Sequence, residues 1–134
     1  MELDTKQRVL LALYTEYQKD LPEMRSIKPD VLELEPDVFH IAIMKLETEG
    51  YITDTTPIRT LGMRHPAYRI DSVKLTRDGI EYVESKLNID PTSSGNEKAR
   101  GVWRKVGEWG LEQFKDVIAK IAAEAIKGQF DTKS

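Results

Sequence analysis

The chain has 134 residues, 40% hydrophobic and 32% charged, with a formal net charge of −3, the mix of a globular protein with a modest core and a solvated surface. It has no cysteine, which excludes a disulfide framework, a thiolate metal site and a cysteine nucleophile. The polar start Met1-Glu2-Leu3-Asp4-Thr5 lacks the zones of a signal peptide, and no apolar run approaches the roughly eighteen residues that span a bilayer; a cytoplasmic protein without an integral membrane segment is expected.

Taken in chain order, residues 4–19 are predicted to form a first helix. Val9, Leu10, Leu13 and Tyr17 fall at helical spacing with Leu11 and Tyr14 beside them. Asp4 and Gln7 stand at capping-box spacing, and Pro22 ends the segment. A short second helix is expected over 26–34, where Ile27, Val31, Leu32 and Leu34 are apolar and Pro29 lies near the first turn. A third follows over 36–49, with Pro36 at its first position, Gly50 at its end, and Phe39, Ile43 and Leu46 facing inward. Two helices joined by so tight a break make a helix-turn-helix candidate.

Beyond Gly50 the period changes. Tyr51-Ile52-Thr53 begins a strand, residues 55–66 are turn-rich, and 67–75 alternate as a returning strand. A fourth helix opens after Thr76, its expected N-cap, and keeps its interval through Ile80, Val83 and Leu87. Residues 89–96, with Pro91-Thr92-Ser93-Ser94-Gly95, form a linker that separates a domain over 1–88 from a long amphipathic helix over 97–128. Gly107 and Gly110 invite a bend or break in that helix, Gly128 closes it, and 129–134 form a disordered tail.

Charge is unevenly spread. Residues 1–90 carry 12 Lys and Arg against 17 Asp and Glu, net −5, whereas 91–134 carry 8 against 6, net +2. An acidic body argues against a nonspecific nucleic-acid coat. No catalytic constellation stands out: the two histidines, His40 and His65, lack metalloprotease spacing, and Gly107-x-x-Gly110 lacks the Lys-Ser/Thr of a phosphate loop. A non-enzymatic protein with no cofactor and no metal is expected.

The best candidates for a functional surface are the cations of the turn-rich stretch. Arg59, Arg64, His65 and Arg69, with Lys74 and Arg77, put six such groups within 19 residues. On a projecting hairpin they would reach phosphates or a minor groove; alternatively they solvate an exposed edge. His40 and Lys45, early and midway on the third helix, stand either where base edges are read or over the core. In the last helix Trp103, Val106, Phe114, Val117 and Ile121 lie on one face, and Trp109 points elsewhere. That stripe suits docking on its own domain, homodimerisation, another protein partner or a membrane interface.

The order helix, helix, helix, strand, loop, strand, helix resembles that of winged-helix proteins. The run Phe39-His-Ile-Ala-Ile-Met-Lys-Leu-Glu-Thr-Glu-Gly-Tyr-Ile52 looks like their third helix and strand entry, and Leu75-Thr-x-x-Gly-x-x-Tyr-Val83 is similar to the segment after the wing. The chain resembles the YjcQ-like family and related phage and prophage proteins of low-GC Gram-positive bacteria, which also carry a Trp-bearing helix, as at Val102-Trp-Arg-Lys-Val106. The resemblance implies an α+β fold, a winged helix-turn-helix plus a long amphipathic C-terminal helix. Two functions follow as expectations. One is a transcriptional regulator that binds double-stranded DNA with a basic wing, paired as a dimer through its C-terminal helix. The other is a protein-protein interaction module acting through the acidic helix junction at 30–37 and the Trp-bearing helix.

Overall fold

The computed structural model describes residues 2–59, 61–62 and 64–126. Within them the chain is α+β, with five α-helices, a 3-10 turn and four short strands in two antiparallel pairs.

Helix α1 (Thr5–Tyr17) begins with the predicted capping box: the Asp4 carboxylate accepts from Gln7 N–H at 2.8 Å, and Asp4 N–H donates to Gln7 Oε1 at 2.9 Å. Its burial is not one-sided. Every residue from Val9 to Glu16 is buried, which makes α1 a central helix enclosed by its neighbours. The polar pair in that stretch is satisfied locally. Thr15 Oγ donates to the Leu11 carbonyl at 2.7 Å, and the Glu16 carboxylate takes Glu23 N–H and Lys19 Nζ, both at 2.8 Å.

The second helix expected over 26–34 does not form. That segment holds a 3-10 turn (Met24–Ser26) and a single turn closed by Leu32 N–H to the Lys28 carbonyl, 3.2 Å. Lys28 precedes Pro29, which disfavours helical backbone there, and Glu33 adopts a left-handed φ of 60° that ends the turn. Ile27 and Leu32 are buried all the same, so the apolar spacing anchors an irregular loop to the core. Helix α2 (Pro36–Thr48) agrees with expectation: Phe39, Ala42, Ile43 and Leu46 are buried, and Gly50 turns the chain at a φ of 84°.

Strand β1 (Ile52–Thr53) pairs with β4 (Lys74–Leu75), and β2 (Thr56–Ile58) pairs with β3 (Ala67–Arg69), in the registers Ile52 to Leu75 and Pro57 to Tyr68. The returning strand expected over 67–75 is therefore two strands. A turn closed by Val73 N–H to the Ile70 carbonyl, 3.1 Å, separates them. Helix α3 (Arg77–Leu87) starts at Thr76, whose Oγ accepts from Gly79 N–H at 3.0 Å. Thr76 also holds the strand entry: its N–H donates to the Tyr51 carbonyl at 3.0 Å and its hydroxyl to that of Gly50.

The expected linker is a compact turn. Asn88 is left-handed, the Asp90 carboxylate accepts Thr92 N–H and Oγ at 2.9 and 2.8 Å, and Ser94 caps the next helix in a capping box with Glu97. The single long helix expected over 97–128 is corrected to two, α4 (Gly95–Glu108) and α5 (Glu112–Ile121), with Gly110 at a φ of 79° where a bend or break was expected. One more helical turn continues to Ile126. The closing Gly128 and the tail 129–134 lie outside the described residues.

Helices α4 and α5 pack on each other and on α1. Val102, Val106, Phe114, Val117, Ile118 and Ile121 join Leu10, Leu13, Phe39 and Leu46 in one apolar cluster, each such side chain contributing about 1.5–3 kcal/mol on burial. A polar link crosses the same junction. Glu84 of α3 accepts from Tyr14 Oη of α1 and pairs with Lys98 Nζ of α4, both at 2.8 Å. Burial first, and the Glu84 hydrogen bond second, raise the Tyr14 hydroxyl well above its ordinary pKa, so it stays a donor.

Candidate nucleic-acid interface

The hairpin of β2 and β3 is seated on α2 by one residue. His40 Nδ1 accepts from Tyr68 N–H at 3.1 Å. Its ring lies 6.5 Å from that of Tyr68 and meets buried Phe39 edge-on at 5.3 Å. His40 is thus half-buried between helix and hairpin, and the base-edge role considered for it gives way to a clasp. A ring nitrogen that accepts from an amide carries no proton, and burial lowers the pKa of this imidazole below its usual value while Asp37 opposes the shift.

With the folded pKa depressed, the neutral clasp contributes fully above the ordinary histidine pKa of about 6.5, and the contribution is lost as pH falls through the lower folded value. The wild-type melting temperature is expected to drop more than that of His40→Gln between neutral pH and pH ~5; parallel curves would remove the clasp. Calorimetry of both proteins across that range makes the comparison.

Six cations cluster in sequence, but the fold treats them differently. Arg69 turns back to Asp71 at 3.1 Å and holds that carboxyl below its usual pKa. Lys74 faces Asp54 at 3.5 Å, and Arg77 faces Glu81 at 3.3 Å. Pairs this exposed contribute little stability, yet they lower the local positive potential. Arg59 and Arg64 stand exposed near the hairpin tip, with no carboxylate partner among the described residues. At the hairpin base, Glu47 is engaged by Thr55 N–H and Oγ, and Glu49 by Lys6 Nζ at 2.7 Å. The acidity of α2 is thereby partly spent inside the fold.

His65 is half-buried and closes one side of a groove of about 340 Å³. Val38, Ile41 and Ala42 of α2 form its apolar floor, with Asp37 and Lys45 beside them and Thr5 and Lys6 of α1 opposite. Val38 is 43%, Ile58 36% and Leu61 100% exposed. These are three of the four large hydrophobic residues exposed among those described, the fourth being Leu21, and they lie on α2 and the hairpin. Sequence reasoning missed Leu61 and Val38. The available signals were an apolar residue beside a turn glycine, and one out of phase with the Phe39–Ile43–Leu46 stripe.

The stripe of the last helices is placed elsewhere. Val106, Phe114, Val117 and Ile121 are buried against α1, while Trp103 and Trp109 are half-buried against the same core. Lys115 Nζ sits 4.8 Å from the Trp103 ring centre. All six side chains pack in or against the chain's own core, which fits the docking reading of the stripe.

Among the described residues no group of His, Asp and Glu could hold a metal ion, and no helix is long and apolar enough to cross a membrane. No protein-family model matches the chain, and neither the curated proteins nor the solved structures contain a match to it.

Proposed function

We propose that this chain is a winged-helix DNA-binding protein, a regulator of phage or prophage type that grips duplex phosphates with its hairpin as the wing. The observation that carries this reading is the pair Arg59 and Arg64, exposed and without described carboxylate partners, on a hairpin clasped to α2 through His40. Arginines so placed can bind phosphate oxygens or the negative potential of a minor groove. Helix α2 offers little for reading bases, since Asp37 stands in its first turn and Lys45 is its one cation. Affinity would come chiefly from the backbone, with limited readout. The reading includes no dimer through the last helices, whose apolar stripe is buried.

The test is selection of the full chain against a random duplex library at low and then moderate salt. Duplex retention at low salt is expected, with log affinity falling linearly in log salt. Substituting both Arg59 and Arg64 by alanine should lower that slope by about 2, roughly one per lost phosphate contact, whereas Arg69→Ala should change it little. Failure to retain any duplex at low salt overturns the reading.

A second reading, a protein-interaction module, is favoured by the apolar floor of the α2 groove. Val38 and Ile41 flanked by cations resemble the anchor-and-rim pattern of protein interfaces.

A further inference from the structure

Leu61 has no role in the phosphate grip just described, yet it is the most exposed large hydrophobic residue among those described, at 100%. It lies between Arg59 and Arg64 in sequence, and both arginines are exposed. A fully hydrated leucine beside two cations suits a partner with an anionic surface and an apolar interior. Two surfaces have that chemistry: stacked bases behind phosphates, and acyl chains behind anionic headgroups. Magnitudes favour the first. A single myristoyl chain, roughly three times the carbon count of a leucine side chain, binds bilayers only marginally, at about 10⁴ M⁻¹. One leucine and two arginines would do no better.

Geometry points the same way. A two-stranded ribbon, with strands about 4.8 Å apart and side chains on both faces, fits a major groove but is too bulky for a minor groove of about 6 Å. One side chain at its tip is not. We infer that Leu61 is an apolar wedge that enters the minor groove and partly unstacks one base step, flanked by Arg59 and Arg64 on the two phosphate walls. This rests on the DNA reading above and adds a source of selectivity to it. Apolar side chains inserted in this way kink duplexes by roughly 20–90°, and pyrimidine–purine steps such as TA yield most easily. Sequence preference would then follow deformability, which suits a helix α2 poor in base-reading groups.

The experiment uses the full chain and a duplex of about two helical turns carrying 2-aminopurine at a central TA step, beside a matched duplex with a G·C-only centre. Wild type is expected to raise 2-aminopurine fluorescence at the TA step on binding. Leu61→Ala should bind within about threefold of wild type, because its phosphate contacts remain, but lose the fluorescence rise. The double variant Arg59→Ala, Arg64→Ala should lose roughly tenfold or more in affinity at low salt. Binding by wild type without a rise, or a rise kept by Leu61→Ala, overturns the wedge and leaves the DNA reading standing. Absence of binding to either duplex overturns both. Capture by phosphatidylserine vesicles that Leu61→Ala abolishes, with no duplex binding, assigns the leucine to lipid and likewise overturns the wedge.

Discussion

Replacing Glu84 by alanine is expected to lower the unfolding free energy by about 3–5 kcal/mol, the cost of breaking a buried ion pair from one side. Glu84 is 6% exposed and Lys98 15%, so the variant strands a nearly buried ammonium and leaves the Tyr14 hydroxyl without its acceptor. A domain of ordinary stability has about 5–15 kcal/mol to lose, and much of the variant would unfold on mild warming. The companion Lys98→Met removes the stranded charge. In the double variant Glu84→Leu, Lys98→Met most of the loss should return, since apolar replacement of a buried pair is often neutral or stabilising. Urea titrations of the wild type and these three variants rank the losses directly. A double variant no better than Glu84→Ala would mean that the triad matters for its shape and not its charge.

Gly79→Ala is the second large effect. A Cβ at this position would stand 2.1 Å from the Tyr51 carbonyl oxygen and 3.0 Å from its carbon, both backbone atoms. Backbone cannot swing aside as a long side chain would, so the first turn of α3 must lift from the strand entry. That motion also strains the two hydrogen bonds from Thr76 to Gly50 and Tyr51. A loss of about 3 kcal/mol, the upper end of ordinary overpacking, is expected. The neighbouring Asp78→Ala, at an exposed position in the same turn, should stay within about 0.5 kcal/mol. Equal urea midpoints for the two variants would refute the close approach.

Much of the helical framework could be read from the sequence because its signals are local. The capping box at Asp4, Pro36 at the start of α2 and the Thr76 cap each join residues within one turn. The helix expected over 26–34 failed for the complementary reason. Apolar residues at 27, 31, 32 and 34 fit a helical face or an irregular loop equally well, and only contact with the core decides between them. For α1, the apolar stripe was the weaker clue. The unbroken run Val9-Leu10-Leu11-Ala12-Leu13-Tyr14 has no polar face left for water, and that absence signals burial on every side.

The candidate site divides along the same line. Six cations within 19 residues were visible, and two of their acidic partners, Asp71 for Arg69 and Glu81 for Arg77, lie two and four residues away. The contact of Lys74 with Asp54 depends on strand pairing, and the clasp of His40 on an amide 28 residues distant. No local pattern encodes either one.

The enclosure of α1 also has a temporal consequence. Its cover is assembled from α2 on one side and from α4 and α5 on another, so the element that occupies the centre is synthesised well before the last of its neighbours. At about 5–20 residues per second, the hundred or so residues between α1 and α5 take roughly 5–20 s to emerge. During that interval the Val9–Tyr14 surface lacks its final contacts. The nascent chain therefore passes through a stage in which its most deeply buried helix is open to chaperones and to other nascent chains, and the arrival of α5 ends that exposure.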